Sequence, residues 1–552
     1  MTRRLVAAVC CLALAACATA SAPPNAPAAE AYADRLVGRM ANLRRDHAAA
    51  ADRYFAALRR DPQSETLLNG AVLASLASGD IARARQAARM APRDDAPAFA
   101  HLVRAADHLA ASRESAAAQE LNRAQGTAAE GLIARMMLVW THADEGRVDD
   151  VVVGLAPFAS IRPYGGLFTY QQAMALDYAG RDQAALASYA TAAEGGMFLP
   201  PAVKRHADLL VRAGARDEAA ALLASDANAG NPELAAAHAR LAAGGQVETQ
   251  RLTSARGAAV GLYGMAAIFQ QESDSTNALA ALTLALMMDP ELDAARVMFA
   301  QVQSDLGHAD LARDALARIP SQSAYAPTAR VMAAWALVEA GHEEEALGAV
   351  RDAAAAGDMR ARRALADMYR SLGRFDEAEP IYTQLMAANP DDWRLHFARG
   401  VARERTGRWA EAESDFLRAL EIQPEQPDVM NYLGYTWIDR GENLQQGLAM
   451  VQRAVELRPH SGAIIDSLGW AYYRLGDYAE ALEHLERAVE LEPADPTLND
   501  HLGDVYWRVG RRIEARFQWQ RALTLDPDDP AAIQAKLDNG LPAEPPTNSA
   551  ER

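Results

Sequence analysis

Few residues of this sequence combine the types and the spacing that enzyme chemistry requires. His342 precedes three glutamates, as at the start of a zinc-binding helix, but no second histidine comes four residues later. Ser467 lies in Ile-Asp-Ser-Leu-Gly, which lacks the first glycine of a nucleophile elbow. The two lysines, Lys204 and Lys536, do not follow a glycine-rich phosphate-binding loop. The sequence therefore predicts no catalytic residue, no cofactor and no metal site, and we expect a protein that is not an enzyme.

The cysteines are confined to the start of the chain, at Cys10, Cys11 and Cys17. Two arginines at positions 3 and 4 precede the apolar residues 5–16, which is the form of a secretory signal peptide. This apolar run is too short to span a bilayer as a helix. We therefore predict that residues 1–16 are a signal peptide.

The signal ends in Leu-Ala-Ala-Cys17, which looks like a bacterial lipobox. The resemblance implies cleavage before Cys17 and acylation of that residue, so that the mature chain is lipid-anchored. The residue after Cys17 is Ala18, whereas an aspartate there would mark inner-membrane lipoproteins. In this respect the sequence resembles lipoproteins retained at the periplasmic face of the outer membrane. The alternative is ordinary cleavage after Ala13-Leu14-Ala15.

Both ends of the chain beyond the signal have few large apolar side chains. Residues 17–31 are rich in proline, alanine and serine, which predicts a tether between the lipidated cysteine and the folded part. Residues 541–552 are polar and proline-rich, which predicts a disordered tail.

A 34-residue repeat dominates the rest of the sequence. Eight residues recur with this offset. They are Leu468, Gly469, Tyr472, Gly476, Ala481, Leu485, Ala488 and Pro493, which match Leu502, Gly503, Tyr506, Gly510, Ala515, Trp519, Ala522 and Pro527. Period and residue types resemble the tetratricopeptide repeat, a helix-turn-helix unit. The small residues belong where two helices cross, and the prolines belong after the second helix.

The repeat extends toward the N-terminus with decreasing regularity. Gly434 and Pro459 occupy the same positions one unit earlier, with one extra residue expected near Glu442 and Asn443. We predict an all-α superhelical solenoid of roughly twelve repeats. Residues 32–258 would form degenerate repeats, and residues 259–540 would form the regular array.

The composition limits the class of partner. The 552 residues carry 73 acidic and 55 basic side chains, a formal net charge of −18. Nucleic-acid binding requires a basic surface, so this balance argues against it. The length exceeds the limit of about 250–300 residues for a single core, which a solenoid avoids because each repeat contacts only its neighbours.

The first helix of each tetratricopeptide repeat lines a concave groove in this family, and the resemblance places ten residues of the last repeats there. Aromatic and arginine side chains are common in the hot spots of protein interfaces. The alternative is that they pack between repeats and pair within the chain. The ten candidates for partner binding are Tyr435, Asp439, Asp466, Trp470, Tyr473, Arg474, Asp500, Asp504, Trp507 and Arg508.

The segments around Gly434, Gly469 and Gly503 resemble a group of proteobacterial tetratricopeptide lipoproteins. That group includes adaptors of a periplasmic carboxyl-terminal processing protease. The resemblance implies a scaffold that recruits this protease and its substrates, often peptidoglycan hydrolases. The alternative is a structural lipoprotein of an envelope machine for polysaccharide export, pilus formation or outer-membrane protein assembly.

Overall fold

The computed structural model describes residues 26–542, except positions 94, 145, 162, 163, 196 and 229. Over these residues the chain forms thirty α-helices and no strand, which confirms the predicted all-α class. The predicted signal peptide, Cys17 and residues 543–552 lie outside the described residues. Residues 26–31, placed in the tether by the sequence, begin the first helix because they are alanine-rich.

The helices are numbered in chain order. They are α1 (Ala26–Leu43), α2 (His47–Leu58), α3 (Glu65–Ala77), α4 (Ile81–Met90), α5 (Ala98–Ala110), α6 (Glu114–Arg123), α7 (Ala128–Asp144), α8 (Val148–Ala159), α9 (Gly165–Tyr178), α10 (Asp182–Glu194), α11 (Pro200–Arg212), α12 (Arg216–Ala224), α13 (Pro232–Ala242), α14 (Ser254–Gln271), α15 (Ser275–Met288), α16 (Asp293–Asp305), α17 (Ala309–Leu316), α18 (Ala326–Glu339), α19 (Glu343–Ala355), α20 (Met359–Ser371), α21 (Phe375–Ala388), α22 (Trp393–Arg405), α23 (Trp409–Ile422), α24 (Pro427–Arg440), α25 (Leu444–Leu457), α26 (Gly462–Arg474), α27 (Tyr478–Leu491), α28 (Pro496–Arg508), α29 (Arg512–Leu523) and α30 (Pro530–Asn539).

The pair α26–α27 illustrates how the repeat residues produce the local structure. α26 ends before Gly476, whose φ of +80° is a left-handed conformation that glycine adopts without strain. The side chain of Asp477 then accepts a hydrogen bond from the amide of Glu480 and caps the start of α27. Pro493 follows the end of α27, where it cannot continue the helix.

Small residues set the distance between the two helices of a pair. A Cβ atom added to Gly469 would lie 2.6 Å from Cγ of Leu485, and one added to Gly503 would lie 2.5 Å from the ring of Trp519. Gly434 approaches the backbone of α25 in the same way, since an added Cβ would lie 2.7 Å from the Gly447 carbonyl oxygen. Ala481 and Ala515 are fully buried in their pairs. Pro459 and Pro527 follow the second helices α25 and α29, as Pro493 follows α27.

The extra residue expected in the repeat before Gly469 lies in the turn between α24 and α25. Gly441 and Asn443 both have left-handed backbone conformations there, with φ of +74° and +43°. Asparagine tolerates this conformation better than most residues, so the turn accommodates the insertion without disturbing either helix.

Contacts divide the chain into two compact units, Met1–Val350 and Arg351–Arg552. The division falls within α19. The sequence boundary at residues 258 and 259 concerned the regularity of the repeats, and it remains a prediction.

In the first unit, a helical hairpin occupies the face formed by the first helices of successive pairs. α14 packs against α5, α7 and α9, and α15 packs against α3 and α5. α14 is about 27 Å long at 1.5 Å per residue, which is enough to cross three packed helices. Fourteen of its eighteen residues are buried, as expected for a helix surrounded by protein.

Glycines on α14 allow this close approach. Gly257, Gly261 and Gly264 are spaced four and three residues apart and therefore lie on one side of the helix. Added Cβ atoms would lie 2.4 Å from the Trp140 ring, 2.6 Å from Sδ of Met136 and 2.3 Å from Cδ1 of Leu167, respectively. These three partners belong to α7 and α9, so the glycine side of α14 faces those helices.

Polar contacts also fix the hairpin and the following helix. The hydroxyl of Thr283 on α15 donates a 2.7 Å hydrogen bond to the carbonyl oxygen of Leu76 at the end of α3. The side-chain amide of Gln303 on α16 donates a 2.7 Å bond to the carbonyl oxygen of Ala77. Both bonds are buried, and they satisfy carbonyl groups that the end of α3 leaves without helical partners.

In the second unit, helix pairs stack in sequence order. α24 packs against α26, and α26 packs against α28, so the first helices of these pairs form a continuous surface, which we call the first-helix face. Among the described residues of this unit, α30 contacts the first-helix face at α28 through Lys536, and no further helix packs on α24 and α26 as α14 and α15 pack on their counterparts in the first unit. Within the described part of the chain, no helix is both long and apolar enough to cross a membrane.

The close approach at Gly469 leads to a test of the helix crossing. We expect Gly469→Ala to destabilise the second unit by about 1–2 kcal/mol, because the new methyl group must displace the branched carbon of buried Leu485. Gly348 on α19, in the first unit, is the control for the helix propensity of alanine, since an added Cβ there meets nothing within 4 Å. Gly348→Ala should raise stability by about 0.5–1 kcal/mol through helix propensity. Urea unfolding of both variants measures the difference, and equal stabilisation by the two substitutions would contradict the crossing.

Candidate functional site: the first-helix face of the second unit

The ten residues proposed from the sequence lie on α24, α26 and α28, the three helices of the first-helix face. The structure brings most of them together through contacts between residues about one repeat apart. Asp439 contacts Arg474, Asp466 contacts His501, and both pairs are separated by 35 residues. Tyr473 contacts Arg508 with the same separation. Asp439 and Arg474 occupy equivalent positions of adjacent repeats, whereas Asp466 and Tyr473 each contact the residue one position beyond their equivalents.

Stacked aromatic rings occupy the centre of this face. The Trp470 ring lies 4.6 Å from the Tyr473 ring at 12° and 4.0 Å from the His501 ring at 18°, measured between centroids. Tyr478 contacts Tyr473 edge-on at 5.4 Å. Trp470 thus links α26 to α28 and is only partly exposed. Its rigid position is suited to binding because little side-chain entropy remains to be lost.

Asp466 and His501 form a pair with little access to solvent. The Nδ1 atom of His501 lies 2.9 Å from a carboxylate oxygen of Asp466, whose side chain is 8% exposed. Burial disfavours the imidazolium, but the charge and hydrogen bond of Asp466, with added influence from Asp500 and Asp504, outweigh burial and raise the pKa of His501. A charged imidazole stacked on Trp470 also gains a cation–π attraction.

The pair of Asp439 and Arg474 is the most exposed of these contacts. Arg474 forms an ion pair with the Asp439 carboxylate and donates a 2.9 Å hydrogen bond to its carbonyl oxygen. Tyr435 lies nearby, and burial, with smaller effects of Asp439 and Asp466, raises the pKa of its hydroxyl to about 12. Tyr435 therefore stays neutral at physiological pH.

Lys536 of α30 joins two acidic residues of α28. Its ammonium group lies 2.7 Å from Asp500 and 2.9 Å from Asp504. Trp519 donates a 2.9 Å hydrogen bond to Asp504 from the other side. Burial raises the pKa of Asp504 despite the lysine, and the two carboxylates raise the pKa of Lys536 despite its burial. This cluster attaches α30 to the end of the repeat stack.

Trp507 and Arg508 also contact the C-terminal part of the described chain. Arg508 donates hydrogen bonds to the Tyr473 hydroxyl at 3.2 Å and to the Pro542 carbonyl oxygen at 2.8 Å. The Trp507 ring lies 5.4 Å from the Trp519 ring, and an added Cβ at Gly540 would collide with it. Residues 541 and 542, placed in the tail by the sequence, are thus in contact with the repeats.

Sequence reasoning missed His501 and Lys536, which complete two of these clusters. The spacing of the charged residues could have predicted both contacts, because His501 follows Asp466 by 35 residues and Lys536 follows Asp500 by 36. In a stack with a 34-residue repeat, such pairs occupy neighbouring positions. Asp466 and Asp504 are buried, so they hold the face together, whereas Arg474 and Asp439 present exposed polar atoms. A binding role for the ten residues remains a prediction.

The residues examined for enzyme chemistry have other contacts. The hydroxyl of Ser467 donates a 3.0 Å hydrogen bond to the Ala463 carbonyl oxygen within its own helix, and Lys204 pairs with Glu233 at 3.0 Å. The described residues contain no group of three or more histidine, cysteine or carboxylate side chains arranged to hold a metal ion. Nothing in the described part of the chain points to catalysis.

Comparison with known proteins identifies the repeats. Residues 331–383 and 363–427 match a family model described as tetratricopeptide repeat, and residues 469–510 match a second TPR repeat model. The chain is 32% identical over 96 residues to TPR repeat-containing protein PA4667 of Pseudomonas aeruginosa. That match spans 17% of this chain and only 16% of the length of the relative.

Solved structures similar to the chain are also repeat proteins. A tetratricopeptide repeat protein from Parabacteroides merdae is 17% identical, covers 44% of this chain and 96% of its own, and has a TM-score of 0.38. A thermophilic TPR protein of Thermus thermophilus is 21% identical, covers 33% of this chain and 98% of its own, and has a TM-score of 0.30. The segments that match the two repeat-family models, with the helical pairs described above, confirm the predicted tetratricopeptide fold.

The contact between Asp466 and His501 predicts a pH-dependent stability. Folding raises the pKa of His501, so its charged form contributes its full stabilisation to the folded unit at pH values below the unfolded pKa of about 6.5. This contribution is lost as the pH rises through the folded pKa. Urea midpoints of the second unit should therefore fall as the pH rises above about 6.5, and His501→Gln should remove part of that fall.

A second histidine of the same unit provides the control. His484 on α27 lies 3.9 Å from Glu480 and stacks on Tyr472 away from the Asp466 pair. His484→Gln should leave the pH dependence in place. If His501→Gln and the parent chain show the same dependence, the charged pair is not formed.

Proposed function

We propose that this tetratricopeptide-repeat chain is a non-enzymatic scaffold that binds protein partners on the first-helix face of its second unit. Tetratricopeptide repeats in general bind proteins through extended surfaces of stacked helices. The observation that carries the proposal is the contrast between the units. The corresponding face of the first unit is filled by α14 and α15, whereas among the described helices of the second unit only α30 contacts the first-helix face, at α28, and α24 and α26 are left open.

The chemistry of the open face is that of a protein-binding surface. Trp470, Tyr473 and Arg508 are held in place by stacking and hydrogen bonds between repeats. Aromatic and arginine residues held in this way are typical of interface hot spots, because their binding surface is large and already ordered. Arg474 and Asp439 add exposed charges of both signs, which favour a partner with complementary charges rather than a nucleic acid.

We further propose that the scaffold is attached through Cys17 to the periplasmic face of the outer membrane. The support is the sequence of residues 1–17, with its arginines, apolar run and lipobox-like end. Several acyl chains on one cysteine would hold the protein firmly at the membrane. A membrane-held scaffold raises the local concentration of two bound proteins into roughly the millimolar range without chemistry of its own.

The partners that fit this arrangement best are a carboxyl-terminal processing protease and its peptidoglycan hydrolase substrates. The support is the resemblance of the segments around Gly434, Gly469 and Gly503 to lipoprotein adaptors. The scaffold would bring protease and substrate together, and cleavage would belong to the protease alone.

Site-specific photo-crosslinking in cells tests the surface and the partner together. A photoreactive amino acid at Arg474 on the first-helix face should give protein adducts, because this side chain is exposed. The same amino acid at Arg487, an exposed residue of the second helix α27, is the control and should give few. A serine protease of the processing type in the Arg474 adducts would support the adaptor role. Components of an export or assembly machine in these adducts would instead support the structural role. Equal adducts at both positions would contradict the proposed surface.

The pair of Asp439 and Arg474 allows a test of whether the partner contacts the arginine itself. Arg474→Glu should leave the fold intact, since exposed ion pairs contribute little to stability. We expect it to weaken partner binding about tenfold or more, as for a hot-spot arginine. The exchange variant Asp439→Arg with Arg474→Glu restores an ion pair with reversed polarity. Binding should stay weak in this variant, as measured by calorimetry, and full recovery would mean that the partner does not contact Arg474.

A further inference from the structure

α1, the first helix that the structure describes, exposes an apolar stripe to solvent. Tyr32, Leu36, Val37, Met40 and Leu43 of α1 are 61%, 45%, 48%, 51% and 70% exposed, respectively. Four of these residues are separated by three or four positions, so they lie along one side of the helix. Isolated exposed apolar residues are common, but a continuous stripe of large ones indicates a surface that contacts something else.

The stripe lies on the opposite side of α1 from its contact with α2. Gly38 is buried, and an added Cβ there would lie 3.2 Å from Cβ of Arg53 and 3.3 Å from the ring of Tyr54 on α2. The Gly38 side of α1 therefore makes the packing contact with α2, and the stripe is not used in that contact.

Arginines border the stripe. Arg35 and Arg39 of α1 lie beside it and Arg44 follows the last residue of the helix, and none of the three forms an ion pair with a described residue. The nearby carboxylate of Asp34 is already paired with Arg60 at 2.8 Å and with Arg53 at 3.5 Å. This part of an acidic chain is therefore locally basic, with its positive charges available to an anionic surface.

We propose that α1 binds the surface of an anionic phospholipid bilayer, with its apolar stripe in the interfacial layer and its arginines at the lipid phosphates. An apolar side bordered by arginines is the pattern of helices that lie in a membrane interface. Tyrosine is suited to the same layer, because its ring is apolar and its hydroxyl can remain in water. The helix would orient the repeats relative to the membrane.

The position of α1 in the chain favours the bilayer over other occupants. This inference rests on the proposed attachment at Cys17, from which residues 17–25 can reach only about 30 Å to the start of α1. Five half-exposed side chains offer roughly 500 Å² at about 200 Å² each. A stable dimer requires about 800 Å² from each partner, so the stripe is small for a second copy. It is sufficient for a membrane that the lipid anchor already holds nearby.

Vesicle flotation tests the proposal. The polypeptide from Ala18 to Arg552 contains every described residue but no lipid, so any binding comes from the protein itself. We expect it to float with phosphatidylglycerol-containing vesicles more than with pure phosphatidylcholine vesicles, and less at high salt. Leu36→Asp with Met40→Asp should reduce the bound fraction, as should Arg35→Glu with Arg39→Glu, each about tenfold or more.

A second exposed apolar pair supplies the matched control. Ile513 and Phe517 on α29 are 84% and 64% exposed and four residues apart. Ile513→Asp with Phe517→Asp should leave vesicle binding unchanged, and circular dichroism melts confirm that each variant is folded. No flotation of the parent chain, or an equal loss in the control, would overturn the proposal. A parent dimer that Leu36→Asp with Met40→Asp converts to a monomer, without vesicle binding, would assign the stripe to a second copy instead.

Mass spectrometry of the N-terminal peptide from cells separates this inference from the proposed attachment. Flotation with no acyl group on Cys17 would keep α1 as a membrane-binding helix and remove the lipid anchor. An acylated Cys17 with no flotation of the unlipidated polypeptide would keep the anchor and refute the role of α1.

Discussion

Stacking of helix pairs at small residues is the constraint on which the rest of this structure depends. Each pair can bury its apolar side only against its own partner helix and the next pair. Gly469 and Gly503 allow the helices of a pair to approach until the backbone of one meets the side chain of the other. Because the same geometry returns in each repeat, residues about 35 positions apart are brought opposite each other. The contacts of Asp466, Tyr473 and Arg474 across repeats follow from that regularity.

The same stacking gives the two units different surfaces. In the first unit α14 packs against three of the first helices, and its glycine side lies against Trp140 and Met136. The apolar area buried there stabilises the fold and cannot be used for binding without displacing the hairpin. In the second unit the first-helix face carries ordered aromatic and charged side chains instead. The proposed binding surface is therefore confined to one part of the chain.

Much of the local structure could be predicted from the sequence, because it depends on short-range chemistry. Gly476 adopts a left-handed conformation, Pro493 follows a helix end, and the extra residue of the preceding repeat lies at Asn443. The helices that carry the candidate site were also predicted, since the repeat period fixes which residues share a face. The partners within that face were not, because pairing across repeats depends on which charges meet in three dimensions.

The hairpin in the first unit could not be predicted for a related reason. The repeat period predicts contacts between neighbouring repeats only, whereas Thr283 and Leu76 are in contact although they are separated by 207 residues. The glycines at 257, 261 and 264 indicate a close approach on one side of a helix, but they do not identify the helices approached. The outward stripe of α1 was missed because the sequence placed the repeats next to a tether and gave no reason to ask which side of the first helix faces out.

The claim that binding belongs to the first-helix face of the second unit is tested most directly by hydrogen–deuterium exchange with the partner recovered by crosslinking. The account predicts slower amide exchange in α24, α26 and α28 when the partner is bound, with α3, α5 and α7 unchanged behind their hairpin. Protection confined to the first unit, or exchange of α14 and α15 accelerated as the partner enters, would contradict it.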